Sequence, residues 1–313
     1  MKNLIQKHKT KIVVASPLFL LILLVLGATY ASSFKSLQVV KDKTFDNELA
    51  LQQFANLNIK AKAFVVYDGS QKKVIYARNE IAQLPLASLT KIMSTLVALD
   101  LTDKNTIIDV PSDNKFNNVN DKYTLVPGSW KLSDLLKLTL VTSSNSGINI
   151  ISDRLSSLKE FLGGEKHFVE LMNKKAGILR LNQTYFLNES GLDIDDNLAG
   201  AYGSPLDTAI LFDYALRKYP DIFDATRYNS ITINSTRGDS LSASNTNPSV
   251  SQIKNLVASK TGFTDLAQGN LVIAFDIDQK TRIIVVVLGS TQDDRFFDAE
   301  ALAKATIAYY SVF

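Results

Sequence analysis

Ser88 and Lys91 lie three residues apart in the apolar run LASLTKIM at residues 86–93, and no further charge appears before Asp100. Removing an ammonium group from water is costly unless the group is paired or neutralised, so a lysine in such a run needs a reason. On a helix, positions i and i+3 lie on the same face, and the N–H groups of the first turn favour negative charge. Burial lowers the pKa of a lysine, and a neutral amine can take the proton of a serine hydroxyl. The two residues are therefore candidates for a nucleophile and its general base.

The S-x-x-K spacing by itself is weak evidence, because four other pairs share it: Ser70/Lys73, Ser112/Lys115, Ser156/Lys159 and Ser251/Lys254. Those four fall in turns or polar stretches, whereas Ser88 and Lys91 fall in an apolar helical pattern. The alternative is a lysine whose stem covers apolar surface while its ammonium group reaches water. Residues elsewhere in the chain must decide between the two interpretations.

The amino-acid composition removes other kinds of hydrolytic chemistry. The 313 residues include no cysteine and only two histidines, His8 and His167. A thiol nucleophile, a disulfide framework and a thiolate metal site are therefore excluded, and a Ser-His-Asp triad would depend on His167, which lies in an ordinary amphipathic pattern. Neither a histidine metal spacing nor a Gly-rich phosphate loop is present, so we expect no cofactor and no metal.

The distribution of charge argues against a nucleic-acid partner and for a membrane. The formal net charge is +3, but four lysines and no acid occupy residues 1–11, so the rest of the chain carries −1. Residues 12–31 are uncharged and mostly apolar, and about twenty such residues can span a bilayer. Positive residues before a span place the N-terminus inside. We expect a cytoplasmic stub (1–11), a cell-membrane anchor (12–31), a tether (32–60) and an extracytoplasmic catalytic domain (61–313). The alternative for the span is a signal peptide that is cleaved to release a secreted domain.

The sequence of the body predicts an α/β domain. Two β-rich runs at 63–67 and 74–78 flank a Gly-Ser turn and predict a hairpin, and three more strands are predicted in LVASKTG, NLVIAFDID and RIIVVVLGS. Helical patterns are found at 88–100, 132–140, 146–158, 165–176, 205–217 and 294–310. Strands at both ends with helices between them indicate one antiparallel five-stranded sheet flanked by helices.

Two further stretches strengthen the interpretation of the serine–lysine pair. LVTSSNSG supplies Ser143 and Asn145 at the junction of two predicted helices, and ASKTGFTD supplies Lys260, Thr261 and Gly262 in a predicted strand. Helix capping is the alternative for the first stretch and a β-turn for the second. In chain order, S-x-x-K, S-x-N and K-T-G form the set found in penicillin-binding proteins and active-site serine β-lactamases.

The body resembles the serine-type D-alanyl-D-alanine carboxypeptidases, which are low-molecular-mass penicillin-binding proteins. The resemblance runs from about residue 63 to residue 310 and is carried by four segments, AFVVYDGSQKKVIYARNEIAQLPLASLTKIM, PGSWKLSDLLKLTLVTSSNSG, FLNESGLD and SKTGFTDLAQGNLVIAF. It implies a β-lactamase/transpeptidase-like fold with a helical subdomain. It also implies that the substrate is a peptidoglycan stem peptide and that β-lactams acylate the protein.

The resemblance implies a role for each matching residue. Ser88 corresponds to the nucleophile, Lys91 to its general base, Ser143 to a proton relay toward the leaving group and Asn145 to a ligand of the substrate amide. The K-T-G residues correspond to the strand that binds substrate: Lys260 and Thr261 would hold the terminal carboxylate, with Arg295 near it, and Gly262 leads to Phe263. The backbone N–H groups of Ser88 and Phe263 would form the oxyanion hole.

The chain departs from the family pattern at two points. Many members carry a histidine shortly after Asn-x-x-Gly-Leu, where this chain reads GAYGSPLD, so the packing of that segment is open. Many members also continue into a β-rich domain with an amphipathic membrane helix, whereas this chain ends at AYYSVF, which makes residues 12–31 the expected anchor.

Three rival functions remain. A D,D-endopeptidase that cuts cross-links would have nearly the same sequence. A class A β-lactamase would carry a deacylating glutamate in a Glu-x-x-Leu-Asn context, which Glu189 lacks. An idle peptidoglycan-binding protein would not need Ser88, Lys91 and Lys260.

Overall fold

The structure is a computed structural model that describes residues 48–112, 125–158 and 165–312. The predicted stub and membrane span, and the tether as far as residue 47, lie outside these ranges. Within the described ranges, no helix is both long enough and apolar enough to cross a bilayer. The chain divides into two units, residues 1–52 with 312–313, and residues 53–311. In the first unit residues 48–51 are helical; the second unit contains all the strands and site residues described below.

Twelve strands are found in the second unit as described: β1 (Ala63–Asp68), β2 (Lys73–Arg78), β3 (Leu84–Pro85), β4 (Ile107–Val110), β5 (Gly128–Lys131), β6 (Tyr185–Phe186), β7 (Ala201–Gly203), β8 (Ser230–Asn234), β9 (Ser240–Ser244), β10 (Leu256–Thr264), β11 (Gln268–Asp276) and β12 (Arg282–Ser290). Its described helices are α1 (Lys91–Leu101), α2 (Leu132–Thr142), α3 (Asn145–Leu158), α4 (Glu165–Ile178), α5 (Pro205–Lys218), α6 (Pro220–Phe223) and α7 (Asp294–Tyr310).

The main sheet is the predicted one. Its strand order is β10-β11-β12-β1-β2, and every neighbouring pair is antiparallel. The run RIIVVVLGS forms β12 at the centre, where residues 283–288 are all buried. Consecutive buried residues on a strand mean that both faces of the sheet are covered, and α5 and α7 both pack against β12. The predicted antiparallel sheet flanked by helices is therefore confirmed, with β10 as an edge strand.

Helix α1 lies inside the helical part of the domain, in contact with α2, α3, α4 and α5. Its first nine residues, 91–99, are all buried, including Lys91 at its N-terminus. An apolar helix surrounded by other helices has no solvent-facing side on which a lysine could reach water. The alternative of a lysine that extends to the surface is therefore wrong for Lys91, which is 0% exposed.

The predicted helix at 88–100 begins three residues later than expected. Ala87 has a φ of 49°, and residues Ala87–Thr90 form a 3-10 turn before α1 begins at Lys91. The sequence contains no glycine that would signal this turn. The other five predicted helices are found within two residues of their expected bounds.

Seven short strands were not predicted. They form the β4–β5 hairpin, the β8–β9 hairpin and the three-stranded sheet β3-β7-β6. Strands of two to five residues are too short to establish an alternating pattern, so they depend on the tertiary contacts around them.

Candidate active site

The turn that carries Ser88 is held in a strained conformation by three neighbouring segments. A positive φ at a residue with a Cβ costs about 1–2 kcal/mol, so Ala87 at 49° needs support from its surroundings. The Leu86 N–H donates to the carbonyl of Ala201, and Asn270 Nδ2 donates to the carbonyl of Pro85 at 2.9 Å. Residue 191 packs directly against the carbonyl of Ala87. These contacts fix the backbone immediately before Ser88.

The amine of Lys91 is surrounded by acceptors. Its Nζ lies 2.8 Å from Ser88 Oγ, 2.7 Å from Asn145 Oδ1 and 2.9 Å from the carbonyl of Ser190. Asn145 and Ser190 orient the amine, and the contact with Ser88 is the one through which a neutral lysine can receive the serine proton. The predicted nucleophile and base are therefore within hydrogen-bonding distance.

The junction between α2 and α3 brings the second motif to the same place. Ser143 ends α2 in the left-handed conformation, with φ 60° and ψ 29°, and its Oγ accepts a 2.8 Å hydrogen bond from Lys260 Nζ. Asn145 begins α3 and contacts Lys91. The first turn of α3 is capped by Ser144, whose Oγ accepts from the N–H of Gly147. Ser143 and Asn145 thus face the two lysines, and Ser144 supplies the cap.

Two further cations are buried beside the same site. Lys260 is 2% exposed, and its Nζ also donates to the carbonyl of Thr261 at 2.7 Å. Burial, followed by the charges of Lys91 and Arg295, lowers the pKa of Lys260 well below its usual value. Arg295, in the first turn of α7, donates to the carbonyl of Gly262 at 2.7 Å, and burial lowers its pKa to about 10.

Neither Lys260 nor Arg295 forms an ion pair with a carboxylate of the described residues. The Nε atom of Arg295 is buried and has no hydrogen-bond partner within the described part of the chain. Buried cations without counter-ions are costly, and an anion that enters between them would relieve the cost. The surroundings of these two cations therefore suit the carboxylate of a ligand.

Close approach of β10 to the serine turn requires Gly262. A Cβ atom at this position would lie 3.0 Å from the carbonyl oxygen of Leu86 and 3.3 Å from the backbone nitrogen of Ser88. The strand therefore runs beside the nucleophile with its outer edge toward the cleft. Phe263 follows on this edge with 39% of its surface exposed.

A cleft of about 730 Å³ connects these groups and is lined by Ser88, Thr142, Ser143, Asn145, Leu192, Asp193, Thr246, Thr261, Gly262, Phe263, Thr264, Asp265, Gln292 and Arg295. Seven of the nine residues predicted from the sequence are in this lining. The other two, Lys91 and Lys260, are buried beneath it and reach it through Ser88 and Ser143. The volume is within the usual range of small-ligand sites, about 300–1,000 Å³.

The competing S-x-x-K pairs do not form such a site where they are described. Ser70 lies in the turn between β1 and β2, where its Oγ accepts from the N–H of Arg282. Ser251 and Lys254 lie in the turn before β10. Lys115 and Lys159 lie outside the described residues.

The segment FLNESGLD is held by internal hydrogen bonds, although no histidine follows it at the family position. Asn188 Oδ1 accepts from the N–H groups of Ser190 and Gly191, at 3.2 and 2.7 Å. The hydroxyl of Tyr202 accepts from the N–H of Ala199 at 3.0 Å, and its ring stacks on Tyr185. The open question about this segment is therefore settled in favour of a packed loop.

Three residues at the site were not identified from the sequence. The carbonyl of Ser190 binds Lys91, and Asp193 accepts hydrogen bonds from Thr264 Oγ1 and the Leu266 N–H, which ties the loop to the end of β10. Thr246 lines the cleft beside Thr261. Ser190 and Asp193 lie in FLNESGLD, which resembles a family segment, but the resemblance assigns no role to either residue. The sequence around Thr246 contains no motif that points to the site.

The fold and the site together define a serine enzyme of the β-lactamase/transpeptidase-like class. Residues 50–292 match the family described as D-alanyl-D-alanine carboxypeptidase, Peptidase_S11. The chain belongs to this family.

Two relatives are each 30% identical to the chain. One is a D-alanyl-D-alanine endopeptidase of Escherichia coli strain K12, matched over 76% of this chain and 74% of the relative. The other is the D-alanyl-D-alanine carboxypeptidase DacF of Bacillus subtilis strain 168, matched over 75% of this chain and 59% of the relative. The match therefore covers less than two thirds of the length of that carboxypeptidase.

Solved structures support the assignment of the fold. Penicillin-binding protein D2 of Listeria monocytogenes in its cefotaxime-bound form superposes with a TM-score of 0.66 at 26% identity, over 82% of this chain and 99% of that chain.

Proposed function

We propose that this protein is a serine D,D-carboxypeptidase that removes the terminal D-alanine from peptidoglycan stem peptides. The observation that supports this most directly is the arrangement of the cleft. Ser88, in contact with a buried lysine, lines the cleft together with Arg295, and Lys260 is buried beneath it; neither cation has a carboxylate partner among the described residues. A peptide whose C-terminal carboxylate is held by these cations would place its last amide bond near the serine.

The first half of the reaction is acyl transfer to Ser88. Lys91 takes the proton of the Ser88 hydroxyl, and Oγ attacks the carbonyl carbon between the last two D-alanines. The N–H groups of Ser88 and Phe263 stabilise the negative charge on the carbonyl oxygen. The C–N bond then breaks, and the proton that Lys91 took from Ser88 passes through the hydroxyl of Ser143, which is hydrogen-bonded to Lys260, to the leaving amine. Lys91 is therefore neutral again when the acyl-enzyme has formed.

The second half is hydrolysis of the ester. A water molecule loses a proton to Lys91, its oxygen attacks the ester carbonyl, and the Ser88 oxygen leaves with a proton returned by Lys91. Asn145 would hold the substrate amide through both steps. The products are free D-alanine and the shortened stem peptide, and Lys91 ends in its starting protonation state.

Cleavage of cross-links is the second candidate, because one of the 30% identical relatives is an endopeptidase. Both reactions use the same acyl-enzyme. Incubation of the chain with a stem pentapeptide and, separately, with a cross-linked muropeptide, followed by mass analysis of the products, distinguishes them. The proposal expects release of D-alanine from the pentapeptide to be the faster reaction, and preferential cleavage of the cross-link would overturn it.

β-Lactams are expected to acylate Ser88 and inhibit the enzyme. Their strained amide is a mimic of the D-Ala-D-Ala bond, and the relative penicillin-binding protein D2 has been solved in cefotaxime-bound and ampicillin-bound forms.

We also propose that the protein is anchored in the cell membrane. The proposal rests on the four lysines of residues 1–11 and on the uncharged residues 12–31. This pattern favours a membrane anchor that places the catalytic domain on the extracytoplasmic side, where peptidoglycan lies.

A further inference from the structure

Thr246 is hydrogen-bonded to the threonine of the K-T-G motif. The Oγ1 atoms of Thr246 and Thr261 are 2.6 Å apart, and both residues line the cleft. The backbone N–H of Thr246 donates to the carbonyl of Val141 at 3.0 Å, and its Oγ1 lies 3.3 Å from the same carbonyl. Thr246 therefore joins β10 to the last turn of α2, which immediately precedes Ser143.

The backbone on either side of Thr246 is fixed. Asn245 Nδ2 donates to the carbonyls of Thr226 and Tyr228, both at 2.9 Å, and Asn245 Oδ1 accepts from the N–H of Asn247. Asn247 in turn accepts from the N–H of Ser249. A threonine held between two such turns presents its hydroxyl at a constant position.

When a carboxylate is bound, the number of available protons determines which hydroxyl donates in the Thr246–Thr261 hydrogen bond. A hydroxyl has one proton and two lone pairs, and a carboxylate can only accept. If Thr261 donates to the carboxylate, its oxygen must accept from Thr246. Thr246 can turn its proton from Val141 to Thr261 at little cost, since the Val141 carbonyl keeps the shorter bond from the Thr246 N–H.

We propose that Thr246 is a positioning residue for the substrate carboxylate: it donates to Thr261 Oγ1 and so directs the Thr261 proton into the cleft. The inference rests on the proposed function, in which Thr261 binds that carboxylate. Hydrogen bonds to a charged acceptor are stronger than neutral ones, and a donor behind Thr261 strengthens the bond further.

The test compares Thr246→Ala with Thr246→Ser, because both variants lose the γ-methyl group and they differ only in the hydroxyl. The probes are benzylpenicillin, which has a carboxylate, and its methyl ester, which has none. The measured quantity is the second-order rate constant of acylation, with each variant checked by thermal melting. Thr232→Ala, on the exposed face of β8, is the control for loss of a paired threonine hydroxyl away from the cleft.

We expect Thr246→Ser and Thr232→Ala to react with both probes at rates within about twofold of the unchanged protein. Thr246→Ala is expected to react up to about tenfold more slowly with benzylpenicillin, the upper end of what one neutral hydrogen bond contributes, and to keep its rate with the ester. Thr246→Cys, whose thiol is a weak donor, should behave like Thr246→Ala and serves as the second variant if the alanine variant does not fold.

Two results would overturn the inference while leaving the proposed function intact: equal rates for Thr246→Ala and Thr246→Ser with benzylpenicillin, or equal slowing of acid and ester. Failure of benzylpenicillin to acylate the unchanged protein at Ser88 would instead overturn the proposed function, and the inference with it.

Discussion

At the scale of single residues, the chemistry depends on a hydroxyl and an amine 2.8 Å apart at the start of an apolar helix. Fluorescent penicillin is expected to label the protein through an ester to Ser88, and Ser88→Ala should abolish that label. Gel fluorescence with a thermal melt of the variant provides the measurement. Labelling that persists in a folded Ser88→Ala variant would show that another residue is the nucleophile.

The two buried lysines are expected to respond differently to arginine. Lys91→Arg keeps a cation that stays protonated and cannot act as a base, so acylation should fall by about 10²- to 10⁴-fold. Lys260→Arg keeps the positive charge near a bound carboxylate, so its loss should be smaller and appear mainly as a higher KM. Acylation rates and steady-state constants measured across pH test both expectations. Equal losses at the two positions would make Lys91 a structural cation.

At the scale of elements, the loop that contains Gly191 determines the shape of the serine turn. Gly191 has a φ of 79°, and a Cβ there would lie 1.9 Å from the carbonyl oxygen of Ala87. Gly191→Ala should therefore lower the free energy of unfolding by about 3 kcal/mol or more, since backbone strain and a buried clash combine. Acylation should also slow, because Ser88 is the next residue after Ala87.

Gly177 provides the matched control for that substitution. It lies in α4 and has no atom within 4 Å of the position that a Cβ would take. Gly177→Ala should stabilise the protein by up to about 1 kcal/mol through helix propensity. Chemical denaturation of both variants measures the two effects, and a tolerated Gly191→Ala would mean that the loop moves away from Ala87 without consequence for the turn.

At the scale of the whole molecule, the site reduces stability, because the side chains of Lys260 and Arg295 are buried beside one cleft without a carboxylate partner among the described residues. The pKa of Lys260 in the folded protein lies below its usual 10.5, so between the folded value and 10.5 the unfolded chain binds more protons. The free energy of unfolding must therefore rise with pH through that window. Below the window both states are protonated, and the folded state carries the full cost of the buried cation.

Lys260→Met should consequently raise the melting temperature at about pH 6, and its advantage over the unchanged protein should shrink as the pH approaches about 10. Lys218→Met is the control, for which we expect the opposite change in stability. Burial lowers the pKa of Lys218, but the hydrogen bond and charge of Asp100 outweigh it and raise the pKa above its usual value. Removing Lys218 should therefore destabilise the protein at neutral pH. Thermal melts of both variants across pH measure these changes in melting temperature. A Lys260→Met variant that is less stable than the unchanged protein would contradict the prediction that the buried Lys260 cation destabilises the fold.

The proposed topology has a separate test. Protease added to intact spheroplasts should degrade the catalytic domain and leave the first eleven residues protected, because the lysines of residues 1–11 favour the cytoplasmic side. A domain that resists until the membrane is lysed would refute this orientation.

The sequence alone determined the large elements and the types of the reacting residues. The five long strands and six long helices were predicted because their apolar residues repeat with a strand or helix period over enough positions. Ser88, Lys91, Ser143, Asn145 and the K-T-G residues were predicted because their types and order match a known set of motifs.

Only the tertiary structure decided which groups contact one another. Lys91 binds Asn145 and Ser190, which are 54 and 99 residues away in the chain, and Thr246 binds Val141, which is 105 residues away. No local pattern records such partners, because periodicity reports only which side of an element is buried. The positive φ of Ala87 was equally invisible, since a strained residue is held by the segments around it and its own side chain indicates nothing.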